Sequence, residues 1–201
     1  MDDPEIHNAR ASEWMKRGIA LLNENTVASL TNSLSWFERA INLRRSLPLD
    51  GNPWYRYVLA AGWMNRGDAL TRLGSPQNLA EAVSSYDEAL LQLQTLELEG
   101  NPLFHERHAL AWMNRGLALQ GQGTLAPPRA ALHSFEKAIV VLRDSPAHER
   151  PENRRLMACA LTNRGNALLR LTPPEPASAG ESAEQSLALI ADAGEEETLA
   201  A

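Results

Sequence analysis

The chain has 201 residues, of which 44% are hydrophobic, and its formal net charge is -6 at pH 7. This charge gives no basic excess of the kind that nucleic-acid-binding domains carry, so we expect no nucleic-acid partner. No run approaches the roughly 18 consecutive apolar residues of a membrane-spanning helix, so we expect no membrane partner. The acidic N-terminal segment does not resemble a secretory signal. Together with a single cysteine, Cys159, which cannot form an internal disulfide, this predicts a cytoplasmic protein.

One motif of eight residues occurs four times at a constant interval. WMKRGIAL begins at residue 14, WMNRGDAL at 63, WMNRGLAL at 112 and LTNRGNAL at 161, so the period is 49 residues. Self-similarity at a fixed period is typical of repeat proteins that stack similar units.

Each repeat begins with a helix-start signal. Prolines follow the same period, at Pro4, Pro53, Pro102 and Pro151. Asp3, Asn52 and Asn101 precede the first three, and an Asp or Asn before Pro caps the free N–H groups of a helix. Arg150 precedes the fourth, where we expect a weaker cap. The glycine of DGNP (50–53) and of EGNP (99–102) is expected to end the preceding helix.

Residues 53–73 are predicted to form one helix, because only glycines interrupt the run. At 100° per residue, one face carries Ala60, Trp63, Gly67 and Leu70. The glycine recurs at Gly18, Gly116 and Gly165. A glycine inside a helix costs on the order of 1 kcal/mol relative to alanine. We therefore expect it to permit the close approach of a second helix.

A second amphipathic segment follows a short loop in each repeat. Residues 31–49, 78–98 and 128–145 carry an aromatic, a small and an aliphatic residue at helical spacing. The aromatic positions are Phe37, Tyr86 and Phe135. The fourth copy, 181–194, has Ala183 at the aromatic position and follows a Pro- and Ser-rich loop. Each repeat is therefore predicted to be an antiparallel helix pair that buries its apolar face by stacking on the next pair.

These columns resemble the tetratricopeptide repeat (TPR), a resemblance that covers nearly all of residues 4–190. It is carried most clearly by Trp63, Gly67, Leu70, Ala82, Tyr86 and Ala89, and again by Trp112, Gly116, Leu119, Ala131, Phe135 and Ala138. The period of 49 is longer than the family's usual period of about 34 residues. The resemblance implies an all-α fold, a right-handed α-solenoid of four antiparallel helix pairs in a single domain over residues 1–201. The repeats are placed at 4–52, 53–101, 102–150 and 151–192, and residues 193–201 are expected to form a flexible tail.

The resemblance also implies a non-enzymatic scaffold for protein–protein interaction, in which the first helices line a concave groove that binds a peptide or a partner helix. On the helical wheel, the groove positions lie roughly opposite the glycine or border that strip. They are Lys16, Met64, Asn65, Asp68, Arg72, Met113, Asn114, Leu117, Asn163 and Asn166. The alternative is a structural protein that forms homo-oligomers through its terminal repeats.

Asn65, Asn114 and Asn163 occupy one column, in which Lys16 stands first. An asparagine amide both donates and accepts, so a ladder of amides suits an extended peptide backbone. The other interpretation is that these amides bond to a neighbouring helix or to water. The strip holds few basic residues, which disfavours a carboxylate clamp. The methionine column is interpreted either as an adaptable apolar floor or as core.

An arginine column matches an acidic column through all four repeats. The arginines are Arg17, Arg66, Arg115 and Arg164, and the acids are Glu38, Asp87, Glu136 and Glu184. We predict arginine–carboxylate pairs between packed helices, with Arg66 and Asp87 as the pair to test.

The sequence contains no nucleophile–base arrangement, phosphate-binding glycine loop or zinc spacing, so we expect no enzymatic activity, cofactor or metal. His105 and His108 lack an apparent third ligand. His105 shares a column with His7, Arg56 and Arg154, which is interpreted as a solvated basic stripe. Cys159 is predicted to be a packing thiol.

Overall fold

The computed structural model of the chain describes residues 3–96, 101–123 and 126–199, with side chains in the last helix as far as Ala191. Over these ranges the chain forms eight helices and no strand. They are α1 Pro4–Glu24, α2 Val27–Arg45, α3 Pro53–Leu73, α4 Pro76–Leu93, α5 Pro102–Gly121, α6 Pro128–Arg143, α7 Pro151–Leu169 and α8 Pro176–Leu199. The first helices of the four repeats thus begin at the four periodic prolines.

The chain divides into two compact units, Met1–Glu97 and Leu98–Ala201. In the first unit α1 packs on α2, α2 on α3 and α3 on α4. The second unit repeats this order, with α5 on α6, α6 on α7 and α7 on α8. Each unit therefore contains two helix pairs, and in each unit the second helix of the first pair also contacts the first helix of the next pair.

Side-chain caps explain why the first helices begin where they do. The side chains of Asp3, Asn52 and Asn101 accept hydrogen bonds from the backbone N–H two residues on, at 2.8, 2.9 and 3.2 Å. Each satisfies one of the N–H groups that the first turn of a helix leaves without a partner. The side chain of Arg150 makes no such bond at the start of α7, as predicted from the sequence.

Both predicted ends of α2 are wrong. The helix α2 begins at Val27, before the predicted residue 31, because Thr26 and Ser29 form a capping box with reciprocal bonds of 3.1 and 3.0 Å. It ends at Arg45 with Ser46 as its cap, so Gly51 does not end it. Gly100, the matching glycine of the next repeat, and residues 97–98 of the predicted second segment lie outside the described residues.

The last helix is longer than predicted. It begins at Pro176, inside the predicted loop, because proline is well accommodated in the first turn of a helix, where its missing N–H is not needed. It continues to Leu199, so residues 193–199 are helical rather than a flexible tail. Residues 200–201 of that predicted tail lie outside the described part of the chain.

The recurring glycine permits close packing within each helix pair, as predicted. A Cβ atom at Gly67 would lie 2.8 Å from Cε1 of Tyr86, and one at Gly116 would lie 2.5 Å from Cε1 of Phe135. Carbon atoms in contact are normally about 3.5–4.0 Å apart, so no larger residue fits without movement of the ring. In the fourth pair, where Ala183 replaces the aromatic residue, the Cβ of Gly165 would lie 3.3 Å from the carbonyl oxygen of Ala179.

Candidate partner-binding surface

In the first unit, the candidate residues lie on the neighbouring helices α1 and α3. Lys16 is exposed and bonds through Nζ to Oε1 of Glu13 at 2.7 Å. Asp68 and Arg72 form an ion pair at 2.9 Å, and Arg72 also donates through Nη1 to the carbonyl oxygen of Leu22 at 3.2 Å. The guanidinium of Arg72 therefore links α3 to the last turn of α1.

In the second unit, the candidate residues lie on α5 and α7, which are also in contact. Asn114 and Asn163 are partly exposed, and Asn166 is exposed. Leu117 is an exposed apolar side chain one turn after Asn114. This unit therefore presents amides beside an apolar contact, and none of these four side chains is charged.

The amide column remains open to solvent in both units. Asn65, Asn114 and Asn163 are each partly exposed. Within the described residues, no hydrogen bond is formed by the side-chain amide of any of the three. Their donors and acceptors are therefore available to a ligand, and the interpretation that they bond to a neighbouring helix is not supported.

The methionines of the predicted groove belong to the core instead. Met64 and Met113 are buried, and so is Met15 in the same column. Met15 lies in the apolar cluster of the first unit and Met113 in that of the second. The reason is that the Met15 sulfur lies 3.8 Å from the position of a Cβ on Gly62, so this column faces the next helix pair and not solvent. The inclusion of Met64 and Met113 in an open surface is therefore wrong.

Arginine pairing is confirmed for Arg66, but with different partners. Its Nε lies 3.5 Å from Oε1 of Glu38, on the preceding helix pair, and its Nη2 lies 3.3 Å from Oε2 of Glu81. Its Nη1 donates to Oγ of the buried Ser85 at 2.7 Å. The contact to Glu38 arises because α3 packs against α2 as well as against α4, and this was not evident from the columns alone.

The arginine–serine bond recurs along the chain. Arg115 donates to Ser134 at 2.8 Å and Arg164 to Ser182 at 2.6 Å. Each of these serines donates its own hydroxyl to the backbone carbonyl four residues earlier, which leaves its oxygen free to accept. In the first repeat Trp36 stands at the serine position, and the guanidinium of Arg17 lies 5.0 Å from its ring centroid. In each pair, the arginine of the first helix therefore links it to the second helix.

The serine column was missed in the sequence, although Ser85 and Ser134 are separated by the repeat period. The signal was weak because serine is common at exposed helix positions. Only the burial of these hydroxyls distinguishes them from exposed serines such as Ser84.

The histidines are not part of a solvated stripe, since His105 and His108 are both buried. Burial, together with a smaller contribution from the nearby His105, lowers the pKa of His108 to about 4. Trp112 donates through Nε1 to Nε2 of His108 at 3.2 Å. His108 is therefore neutral near pH 7 and acts as a hydrogen-bond acceptor inside the unit.

Cys159 is exposed, so the prediction that it is a packing thiol is wrong. In the described part of the chain, no group of three metal-ligating side chains comes together. No helix in those ranges is both long and apolar enough to cross a membrane.

No family model and no curated protein sequence matches this chain. Several solved structures resemble its fold, and two of them are helical repeat assemblies or proteins. The DHF58 filament superposes with a TM-score of 0.56 and 18% identity, covering 96% of this chain and 95% of its own. The de novo designed helical repeat protein DHR64 superposes with a TM-score of 0.56 and 21% identity, covering 96% and 98%. The chain therefore has the fold of a helical repeat protein, and the predicted all-α, solenoid class is confirmed.

Proposed function

We propose that this helical repeat protein is a non-enzymatic interaction scaffold of the TPR type, whose first helices bind an extended peptide or a partner helix. The observation that carries the proposal is the amide column, in which Asn65, Asn114 and Asn163 are partly exposed and have no side-chain partner among the described residues. An asparagine on the outer side of the packed helices can bind a peptide backbone, because its amide both donates and accepts hydrogen bonds.

The spacing of the helices suits an extended peptide. Packed helices lie about 8–10 Å apart, and an extended chain advances about 3.3 Å per residue. In the second unit, Asn114 and Asn163 on the neighbouring helices α5 and α7 would therefore meet a crossing peptide about three residues apart. In the second unit, Leu117 adds an apolar contact beside Asn114. In the first unit, the Asp68–Arg72 pair adds a charged contact beside Asn65.

One observation favours the alternative of self-association. Leu187 and Ile190 are exposed on one side of α8. Such side chains are covered in many oligomers, and one of the structural neighbours of this chain is described as a filament. Light scattering over a range of concentrations tests this alternative, which predicts a mass that rises with concentration and falls when Leu187 is replaced by Asp.

The amide surface is tested by quantitative pull-down with a triple variant, Asn65→Ala, Asn114→Ala and Asn163→Ala. The matched control replaces three exposed residues of the second helices, Asn32→Ala, Ser84→Ala and Lys137→Ala. We expect the wild type and the control to recover the same proteins and the amide variant to lose at least one of them. Equal recovery by all three proteins would exclude the amide surface as the binding site.

A further inference from the structure

The fourth helix pair has a groove between α7 and α8. We call it the forward groove. It has a volume of about 300 Å³, and its lining includes Gly165, Asn166 and Leu169 of α7 and Ala179, Gly180 and Ala183 of α8. Most of this lining is apolar, and no other described helix packs on it.

The first pair shows what covers the equivalent surface elsewhere in the chain. Ile41 of α2 is 1% exposed, and its Cγ1 lies 3.1 Å from the position of a Cβ on Gly62 of α3. Leu22 of α1 is 4% exposed and shares an apolar cluster with Leu59 of α3. The next first helix thus covers both side chains.

The equivalent side chains of the fourth pair are uncovered. Leu169 corresponds to Leu22 by three periods and is 53% exposed. Leu187 corresponds to Ile41, with the one-residue shift of the fourth copy, and is 68% exposed. Within the described residues, the fourth pair therefore presents the apolar contacts of a repeat interface with no further helix packed on them.

The charges show the same pattern. Glu38 lies 3.5 Å from Arg66 on the next first helix, and Glu136 lies 3.7 Å from Arg164 on the next first helix in the second unit. Glu184 stands at the corresponding position of α8. It is exposed, and it forms no ion pair within the described residues. An arginine supplied from outside the described chain would complete the series.

We propose that the forward groove binds a helix of a partner protein, one that carries Gly or Ala four residues before an Arg. This is the spacing of Gly62 and Arg66 on α3 and of Ala160 and Arg164 on α7. At the edge of the groove, the small residue lies against Leu187, one turn after the lining residue Ala183, and the arginine pairs with Glu184, the residue that follows Ala183. Because Ala183 replaces the Phe or Tyr of the other pairs, the groove also accommodates a large apolar side chain of the partner.

A second copy of this chain is a poor occupant. On α1, Arg10 and Glu13 stand where α3 has Leu59 and Gly62. Both are exposed charged residues, and Glu13 would be brought against Leu187. Pairing α8 with another α8 would place two Glu184 carboxylates on one interface, which is unfavourable. The proposal does not depend on the amide column, because Asn65, Asn114 and Asn163 do not line the forward groove.

The probe is a synthetic, fluorescently labelled peptide with the sequence of residues 53–73, titrated with the full chain and followed by anisotropy. The control probe carries Arg66→Glu. The protein variants are Leu187→Asp and Glu184→Arg, and the control variant is Gln185→Arg, an exposed position on another side of α8. Circular dichroism checks that all variants keep the wild-type helix content.

We expect the peptide to bind the wild type and the Gln185→Arg variant equally, and to bind the Leu187→Asp variant about tenfold or more weakly. Glu184→Arg should weaken binding of the wild-type peptide and restore binding of the Arg66→Glu peptide. The proposal is overturned if the peptide does not bind, if both groove variants bind it as the wild type does, or if the wild type forms a dimer that Leu187→Asp abolishes. The last outcome would assign the groove to a second copy.

Discussion

Arg44 is a buried cation without a carboxylate partner in the described chain. It is 4% exposed, and burial lowers its pKa to about 10. It donates through Nη1 to the carbonyl oxygen of Val58 at 2.6 Å and through Nη2 to Oγ of Ser12 at 3.3 Å, but its Nε has no partner. The equivalent residues of the next two repeats, Leu93 and Leu142, are fully buried leucines. The surroundings of Arg44 therefore correspond to those that bury a leucine in the next two repeats.

Replacing Arg44 by Leu should stabilise the first unit, because a buried charge with incomplete hydrogen bonding becomes an apolar contact. We expect the free energy of unfolding to rise by about 1–3 kcal/mol. Urea unfolding followed by circular dichroism measures this change. Arg45→Leu is the control, since Arg45 is half exposed and its replacement should have little effect. A loss of stability in Arg44→Leu would contradict this account of the site.

His108 should make stability depend on pH. Its pKa is about 4 in the folded chain and about 6.5 when unfolded, so the unfolded chain binds more protons between these values. The free energy of unfolding should therefore fall as the pH falls from about 6.5 to about 4, by on the order of 1–2 kcal/mol between pH 7 and pH 5.

The variant His108→Gln removes the titrating group but keeps an acceptor for Trp112. Urea midpoints at pH 7 and pH 5 should differ less in this variant than in the wild type. His133→Gln, at an exposed position, is the control and should keep the wild-type difference. If His108→Gln keeps the full difference, another group causes the pH dependence.

At the scale of the helix pair, the glycine–aromatic contact fixes how closely two helices pack. We expect Gly116→Ala to destabilise the second unit by about 1–3 kcal/mol, because the new methyl group would lie 2.5 Å from the Phe135 ring. Gly180→Ala is the control, since a Cβ there meets nothing within 4 Å. It should stabilise α8 by up to about 1 kcal/mol through helix propensity. Thermal unfolding should show a lower stability for Gly116→Ala and a higher stability for Gly180→Ala. Destabilisation of similar size in both variants would contradict the packing argument.

The arginine–serine bond should also contribute to each pair. Ser85→Ala removes the acceptor of the Arg66 guanidinium, and we expect a loss of about 1–2 kcal/mol. Ser84→Ala removes a neighbouring hydroxyl that makes the same bond to the carbonyl four residues earlier but is exposed. Its effect on the urea midpoint should be small, and equal effects of the two substitutions would mean that the contact to Arg66 contributes nothing.

The helix pairs were predictable from the sequence because the period, the capping residues and the glycine column are local signals. Contacts between successive pairs were not, because they depend on which face of each helix meets the next one. For this reason Met64 was placed on an open surface and Arg66 was paired with Asp87, whereas the structure buries the methionine and brings Glu38 to the arginine. The start of α8 was missed because a Pro- and Ser-rich segment is typical of both a loop and a first helical turn.

At the scale of the whole molecule, the contacts that stabilise the repeats and the proposed binding surface lie on different faces of the helices. Glycines, buried methionines and arginine–serine bonds occupy the faces between helices. Partly exposed amides occupy the outer side of the first helices. The outer surface of each unit can therefore vary in sequence without loss of the helix pairs, which is the property that an interaction scaffold needs.

Photo-crosslinking from single positions tests the central claim, that the first helices bind the partner. A photoreactive residue replaces Asn114 in one protein and Lys137, an exposed residue of α6, in the other. After irradiation in cell extract, we predict a specific protein adduct from position 114 that is absent from position 137. Adducts from position 137 alone, or the same adducts from both positions, would contradict the claim.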